Sequence, residues 1–199
     1  MKYLAASLLE DLYEQTEQNI TKAISEWQQL PVDYLTAQPG ENKWSAAQCL
    51  EHLNSYGRYY LPAMQQAIQG AAAGEVVTHF KSSWLGNYFY NLMLTDSKGG
   101  VKKKMKAPKD HRPATNLNAA VVLSEFISQQ EQLLQLITRA QGVDLEQLKV
   151  PISLSRFIKL SLGDTLLFYV AHIHRHVAQA ERAILVAGYL PAPGNKVMS

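Results

Sequence analysis

Cysteine is almost absent from the chain. Cys49 stands alone, so no intrachain disulfide can form, and a reducing compartment is the expectation. Long apolar runs are missing too: no uncharged stretch approaches the roughly 18 residues of a membrane-spanning helix. The opening MKYLAASLLEDL meets Glu10 and Asp11 before a signal-peptide core can form. Net charge is only +2, too little to argue for a nucleic-acid partner. These absences point to a soluble cytoplasmic protein that engages neither membrane nor nucleic acid. The one conspicuous charge run, 102-KKKMK-106, reads as a solvated loop or as an electrostatic lure for an anionic substrate. Internal repeats and low-complexity tracts are lacking, and strand-like alternation is confined to 148-LKVPISL-154.

What the chain does have is helical periodicity. Its 199 residues suit a single domain, 1–199, large enough to bury a core without staples. A first segment, about 3–30, repeats Leu8, Leu9, Leu12, Ile20, Ile24, Trp27 and Leu30 at three-to-four spacing before Pro31 stops it. A second opens at 45-SAAQ-48, a capping-box pattern, and runs on through His52 and Tyr56, with Pro62 expected as a kink or a break. A third spans Asn118 to Gly142, a glycine suited to the position just past a helix end. The fourth follows the capping signature 161-SLGD-164 and ends at Gly188. Between the second and third, 84-WLGNYFYNLML-94 suggests a short helix, and the basic stretch up to Pro113 a loop. The expected architecture is an all-α four-helix bundle with a crossover insertion at about 74–115. Connections this long need not join adjacent helices in simple up-down order.

Three of the six histidines crowd into 172-HIHRH-176 on the last helix. At about 100° per residue, His172 and His176 lie about 40° apart on one face, whereas His174 lies about 200° from His172 and is expected at the surface beside Arg175. H-x-x-x-H on a helix aims two imidazoles at one point, an arrangement that grips a divalent metal. Thr165, Tyr169, Gln179 and Ala183 share that face, and polar groups on an interior stripe need something to satisfy them. A site needs a third ligand. His52 on the second helix is the candidate, with Cys49 either a competing soft ligand or a small core residue. His79 and His111 fall in the weakly patterned middle of the chain, where exposure is the expectation.

The segments 44-WSAAQCLEHL-53 and 172-HIHRHVAQAE-181 resemble the two signature segments of the DinB/YfiT-like superfamily: a Trp-Ser entry to helix two followed by a histidine, then H-x-x-x-H and a Gln on the last helix. The resemblance runs in outline over most of the chain. It implies a four-helix bundle that holds a divalent ion, commonly nickel or zinc, with iron or manganese as alternatives, through His52, His172 and His176. It further implies a small-molecule substrate, pairing into a homodimer, and, from members of known activity, metal-dependent transfer of a low-molecular-weight thiol such as bacillithiol, mycothiol or glutathione. Some members are isomerases that use such thiols.

Three mechanistic readings follow. In the first, a thiol loses its proton at an open position of the metal and attacks an electrophilic carbon, with Tyr56 and Tyr169 as candidate catalytic residues that line the pocket or donate a proton. Gln179, one turn beyond His176, is expected to fix ligand orientation. In the second, the same metal delivers hydroxide as a hydrolase, but Glu51 points about 100° away from His52 and no other base is evident. In the third, the metal braces a non-catalytic binding or dimerisation module.

Overall fold

A computed structural model describes residues 1–71, 78–94 and 106–189. Lys106 is described, but the rest of the 102–106 lysine run lies outside these residues. Six α-helices occur among them: α1 Ala5–Ser25, α2 Val32–Thr36, α3 Ala46–Gln69, α4 Trp84–Met93, α5 Ala119–Ala140 and α6 Leu162–Val186. The strands are short: β1 Lys2–Leu4 pairs antiparallel with β2 His79–Lys81, and β3 Lys149–Ile152 with β4 Ser155–Ser161. The protein is therefore an all-α bundle with two small strand pairs at its margins. No helix among the described residues is long and apolar enough to cross a membrane.

Helix ends fall where capping chemistry places them. Ser45 accepts from the Gln48 backbone N–H while the Gln48 side chain accepts from the Ser45 N–H, a complete capping box. Asn118 and Ser161 accept from backbone N–H groups three residues on, at the starts of α5 and α6. At the end of α6, Gly188 takes φ +99°, Tyr189 N–H donates to Ile184 O, and Gly188 N–H donates to Leu185 O. That pair of bonds is a Schellman closure, which needs a left-handed residue and so favours glycine.

Both ends of the first helix differ from expectation. The first helix starts only at Ala5, because Lys2–Leu4 pairs with β2 instead. It ends at Ser25, and a 3₁₀ turn, Trp27–Gln29, carries the chain to Pro31. α3 continues across Pro62 without a break. The 148–154 alternation is half of a hairpin whose second strand, 155-SRFIKLS-161, alternates too weakly to be seen in sequence.

The bundle has an unusual neighbour order. α1 packs on α5 and α6, and α3 packs on α5 and α6. The diagonal pairs are thus α1 with α3 and α5 with α6, so the connections 26–45 and 141–161 cross the bundle end. Within the core, Trp27 meets Phe126, and Tyr169, Leu133, Ile137 and Met64 are fully buried. Between α3 and α5, the long connection lays α4 against α6.

Asp164 anchors that helix. Fully buried at the start of α6, its carboxylate accepts from the hydroxyls of Ser82 and Ser83, both at 2.7 Å, and from the Ser83 backbone N–H. Ser83 in turn caps α4 by accepting from Gly86 N–H. Gly86 sits so close that a Cβ there would fall on the Asp164 carboxyl carbon, a group held by three bonds and unable to retreat freely. Gly86→Ala is therefore expected to destabilise the fold by about 1–3 kcal/mol, through overpacking or loss of Asp164 bonds. Urea unfolding of the two proteins measures it, and an unchanged midpoint would contradict the tight approach.

Candidate metal centre

α3 and α6 are direct neighbours, and their facing sides bring three imidazoles together. His52 comes from the second turn of α3; His172 and His176 are one turn apart on α6. The three rings offer ligand atoms that all lie within 4.8 Å of one another. Their centroids are 4.6 to 5.2 Å apart, each pair edge to face. His52 and His172 are buried, and His176 is half-buried. The three therefore converge as the residues' spacing suggests.

Hydrogen bonds assign the ring nitrogens. His52 Nδ1 lies 2.6 Å from the carbonyl oxygen of His111, which can only accept, so Nδ1 carries the proton and Nε2 keeps its lone pair. His176 Nδ1 lies 3.0 Å from Gln179 Oε1 and is assigned the same way. The orienting role expected of Gln179 thus has a direct contact behind it. His172 finds no oxygen: its Nδ1 is buried without a partner, and its Nε2 is 3.3 Å from His52 Nε2. Two lone pairs therefore face inward from His52 and His176, and His172 adds a third when its proton sits on Nδ1.

Electrostatics point the same way. Burial lowers the His52 pKa to about 4, against a partial upward pull from its bond to His111. Burial also holds His172 and His176 well below the usual imidazole range, and each ring's charge would oppose its neighbours'. Neutral imidazole is the form that binds metals. Two nitrogens about 2.0–2.1 Å from a tetrahedral zinc are about 3.3–3.4 Å apart, which is the His52–His172 spacing. Donor set, protonation and separation all fit a divalent cation. Among the described residues, no carboxylate belongs to the cluster.

Aromatic rings wall the site. Trp44 packs 4.9 Å from His52 and 6.0 Å from His176, which explains the tryptophan at the entry to α3. Tyr56 lies 4.5 Å from His172, and Phe168 stacks on the same ring at 5.8 Å. Beyond Tyr56 and Phe168 opens an apolar cavity of about 190 Å³. Tyr169 stands elsewhere: it is fully buried, 5.7 Å from Tyr60, and does not line that cavity.

Two histidines depart from expectation. His111, expected at the surface, is buried; its ring stacks on Tyr56 at 3.9 Å and its Nδ1 lies 3.0 Å from the Ser55 hydroxyl. Its local sequence carries no periodicity, so only the short 3₁₀ turn Lys109–His111, packed on α3, reveals it. His174 is half-buried rather than exposed, in a crevice with Asp11, Gln15 and Tyr90. His79 is exposed as expected. Cys49 is fully buried, and desolvation pushes its thiol up to about 12, as suits a core residue rather than a thiolate ligand.

The depressed histidines give the metal-free protein a signed pH response. Above pH 6.5 these rings are neutral whether folded or unfolded and contribute no difference. As pH falls from 6.5 towards 4, the unfolded chain takes up protons that the folded rings refuse, so stability is lost. His52 alone is expected to cost on the order of 2 kcal/mol by pH 5. Urea midpoints of chelator-treated protein at pH 7.5 and 5 check this. His52→Gln should flatten the difference, and an equal drop in that variant would contradict it.

Neither the curated proteins nor the solved structures searched contain a match to this chain. A family model does match, that of the DinB superfamily, over residues 12–180. That span runs from within α1 to within α6 and contains all three converging histidines together with Trp44 and Gln179. A helical bundle with a buried histidine triad able to hold a metal ion, matched by the family model over most of its length, belongs to the DinB superfamily.

Proposed function

We propose that the protein is a metal-dependent transferase that joins a low-molecular-weight thiol to a small electrophilic molecule. The observation that carries the reading is a triad of neutral imidazoles, free of carboxylate, set against an apolar cavity. A divalent ion on His52, His172 and His176, nickel or zinc first and iron or manganese as alternatives, would keep its full charge, offer an open position and favour thiolate over thiol near neutral pH. In the transfer, sulfur forms a bond to the electrophilic carbon, the thiol proton passes to solvent, and the leaving group departs with its bonding electrons.

The chain's own residues would prepare that step. The His111 carbonyl and Gln179 hold His52 and His176 with Nε2 directed to the cluster. Trp44, Tyr56 and Phe168 exclude water around the triad. Burial pushes the Tyr56 phenol up to about 12, so it stays protonated, and its ring lines the cavity; we assign it donation to the substrate or leaving group. We assign Tyr169 an indirect share in catalysis, through packing on Tyr60, which lines the cavity itself. Glu51 is engaged by Arg58, which also binds Glu125, so it offers no base to a hydrolase. The same reading includes a cytoplasmic setting, suggested by the lone cysteine, and a homodimer, for which exposed Trp84 and Phe157 supply apolar surface.

Elemental analysis and a conjugation assay test the proposal together. Purified protein should carry about one divalent ion per chain and accelerate addition of a thiol such as glutathione or bacillithiol to 1-chloro-2,4-dinitrobenzene. His172→Ala should lose both properties, and Gln179→Ala should weaken metal binding about 10–100-fold. Stoichiometric metal in His172→Ala would reject the ligand set. Metal without conjugation across several thiols would favour the non-catalytic module.

A further inference from the structure

The apolar cavity beside the triad has a chemistry of its own. Four aromatic rings, Tyr56, Tyr60, Phe89 and Phe168, line it, and Leu154 at the tip of the β3–β4 hairpin completes one side. Its volume of about 190 Å³ somewhat exceeds the roughly 150 Å³ that accepts a benzene ring in a buried protein cavity. The hairpin side is fixed, not floppy: Tyr59 O–H donates to Ile152 O, and Ser153 N–H donates to Tyr60 Oη, both at 3.1 Å. Among the described residues lining the cavity, one is charged, and it is Lys106.

Lys106 also lines a second depression, on the Trp44 side, where Lys43 and Arg112 join it and, among the described residues, no acidic residue does. The triad therefore has a ring-sized apolar chamber on its Tyr56 side and a cationic groove on its Trp44 side, with Lys106 common to both. A wholly apolar ligand would make no use of that ammonium. A charged ligand without a ring would leave the four aromatics unfilled.

We infer that the cavity is the subsite for a single-ring apolar compound bearing a carboxylate, the ring seated among Tyr56, Tyr60, Phe89 and Phe168 and the carboxylate paired with Lys106. This names the class of electrophile and so rests on the transferase reading, but it concerns binding and can be tested without turnover. The ring contributes burial, worth about 25 cal/mol for each Å² of apolar surface removed from water. The carboxylate contributes an exposed ion pair, which selects more than it tightens.

The probes are benzoate, its uncharged analogue benzamide, and acetate, titrated into the metal-loaded and the chelator-treated protein by ligand-observed NMR. Benzoate should bind in both forms, about fivefold more tightly than benzamide, the size of an exposed ion pair, while acetate should not compete. Lys106→Gln should erase the preference for benzoate over benzamide and leave benzamide binding unchanged. Leu154→Trp, at a position 62% exposed and so tolerant of change, should fill the cavity and abolish binding of both rings. Equal affinity for benzoate and benzamide in the unaltered protein, acetate competition, benzoate binding only when metal is loaded, or undiminished binding in Leu154→Trp would each overturn the assignment. Failure of thiol conjugation with these binding results intact would count against the transferase reading alone.

Discussion

Three imidazoles whose ligand atoms converge between α3 and α6 set the terms for the rest of this molecule. A buried polar atom without a partner costs on the order of 1–3 kcal/mol, and the His172 Nδ1 has none among the described residues. Protonation would relieve the lone pairs, but burial and mutual repulsion hold all three rings neutral. A cation on the facing nitrogens is the partner that answers the lone pairs without a proton. The surrounding architecture preserves the tension: the His111 carbonyl and Gln179 take up one N–H each, and Trp44, Tyr56 and Phe168 close the sides.

The order of the helices makes this convergence direct. In a simple up-down bundle the second and fourth helices lie across a diagonal. Here α1 and α3 are the diagonal pair, so α3 and α6 touch along their faces and His52 meets His172 without spanning the core. The cost is two connections across the bundle end, and one of these, together with the long link between the neighbours α3 and α5, builds parts of the site. The Lys109–His111 turn supplies the acceptor for His52, the β3–β4 hairpin supplies a cavity wall, and α4, pinned through Ser82 and Ser83 to Asp164, supplies Phe89.

Legibility in the sequence followed the range of the interactions. The four bundle helices, the caps at Ser45 and Ser161 and the glycine end at Gly188 are local matters of periodicity and turn chemistry, and they read true, whereas Gly142 stands just past α5 without a left-handed φ. His172, His176 and Gln179 were legible because helical geometry fixes a shared face over two turns. His111 was not, because its burial depends on a loop folding back across α3, and nothing within ten residues of it repeats. β1 was hidden for a similar reason: Tyr3 and Leu4, apparent helix in the sequence, pair instead with a strand 75 or more positions away. The aromatic segment 84–94 announced a helix but not its purpose, since Phe89 becomes a cavity wall only once Asp164 has anchored Ser83.

Cys49 and His52 show how the same helix separates core from chemistry. They are three positions apart and about 60° apart around the axis, close enough for either to have served as the third ligand. Cys49 turns fully into the hydrocarbon core, where its thiol stays protonated up to about 12. His52 turns towards α6, between a carbonyl that takes its proton and a second imidazole 3.3 Å away. A thiolate in the triad would halve the charge of a divalent ion, while a third neutral ring leaves it whole. An ion with its full charge draws more strongly on whatever anion enters the open position, and it does so beside a groove that already carries Lys43, Lys106 and Arg112. With a divalent ion bound, the choice of histidine over cysteine at one face of α3 would thus set the electrostatics of the mouth.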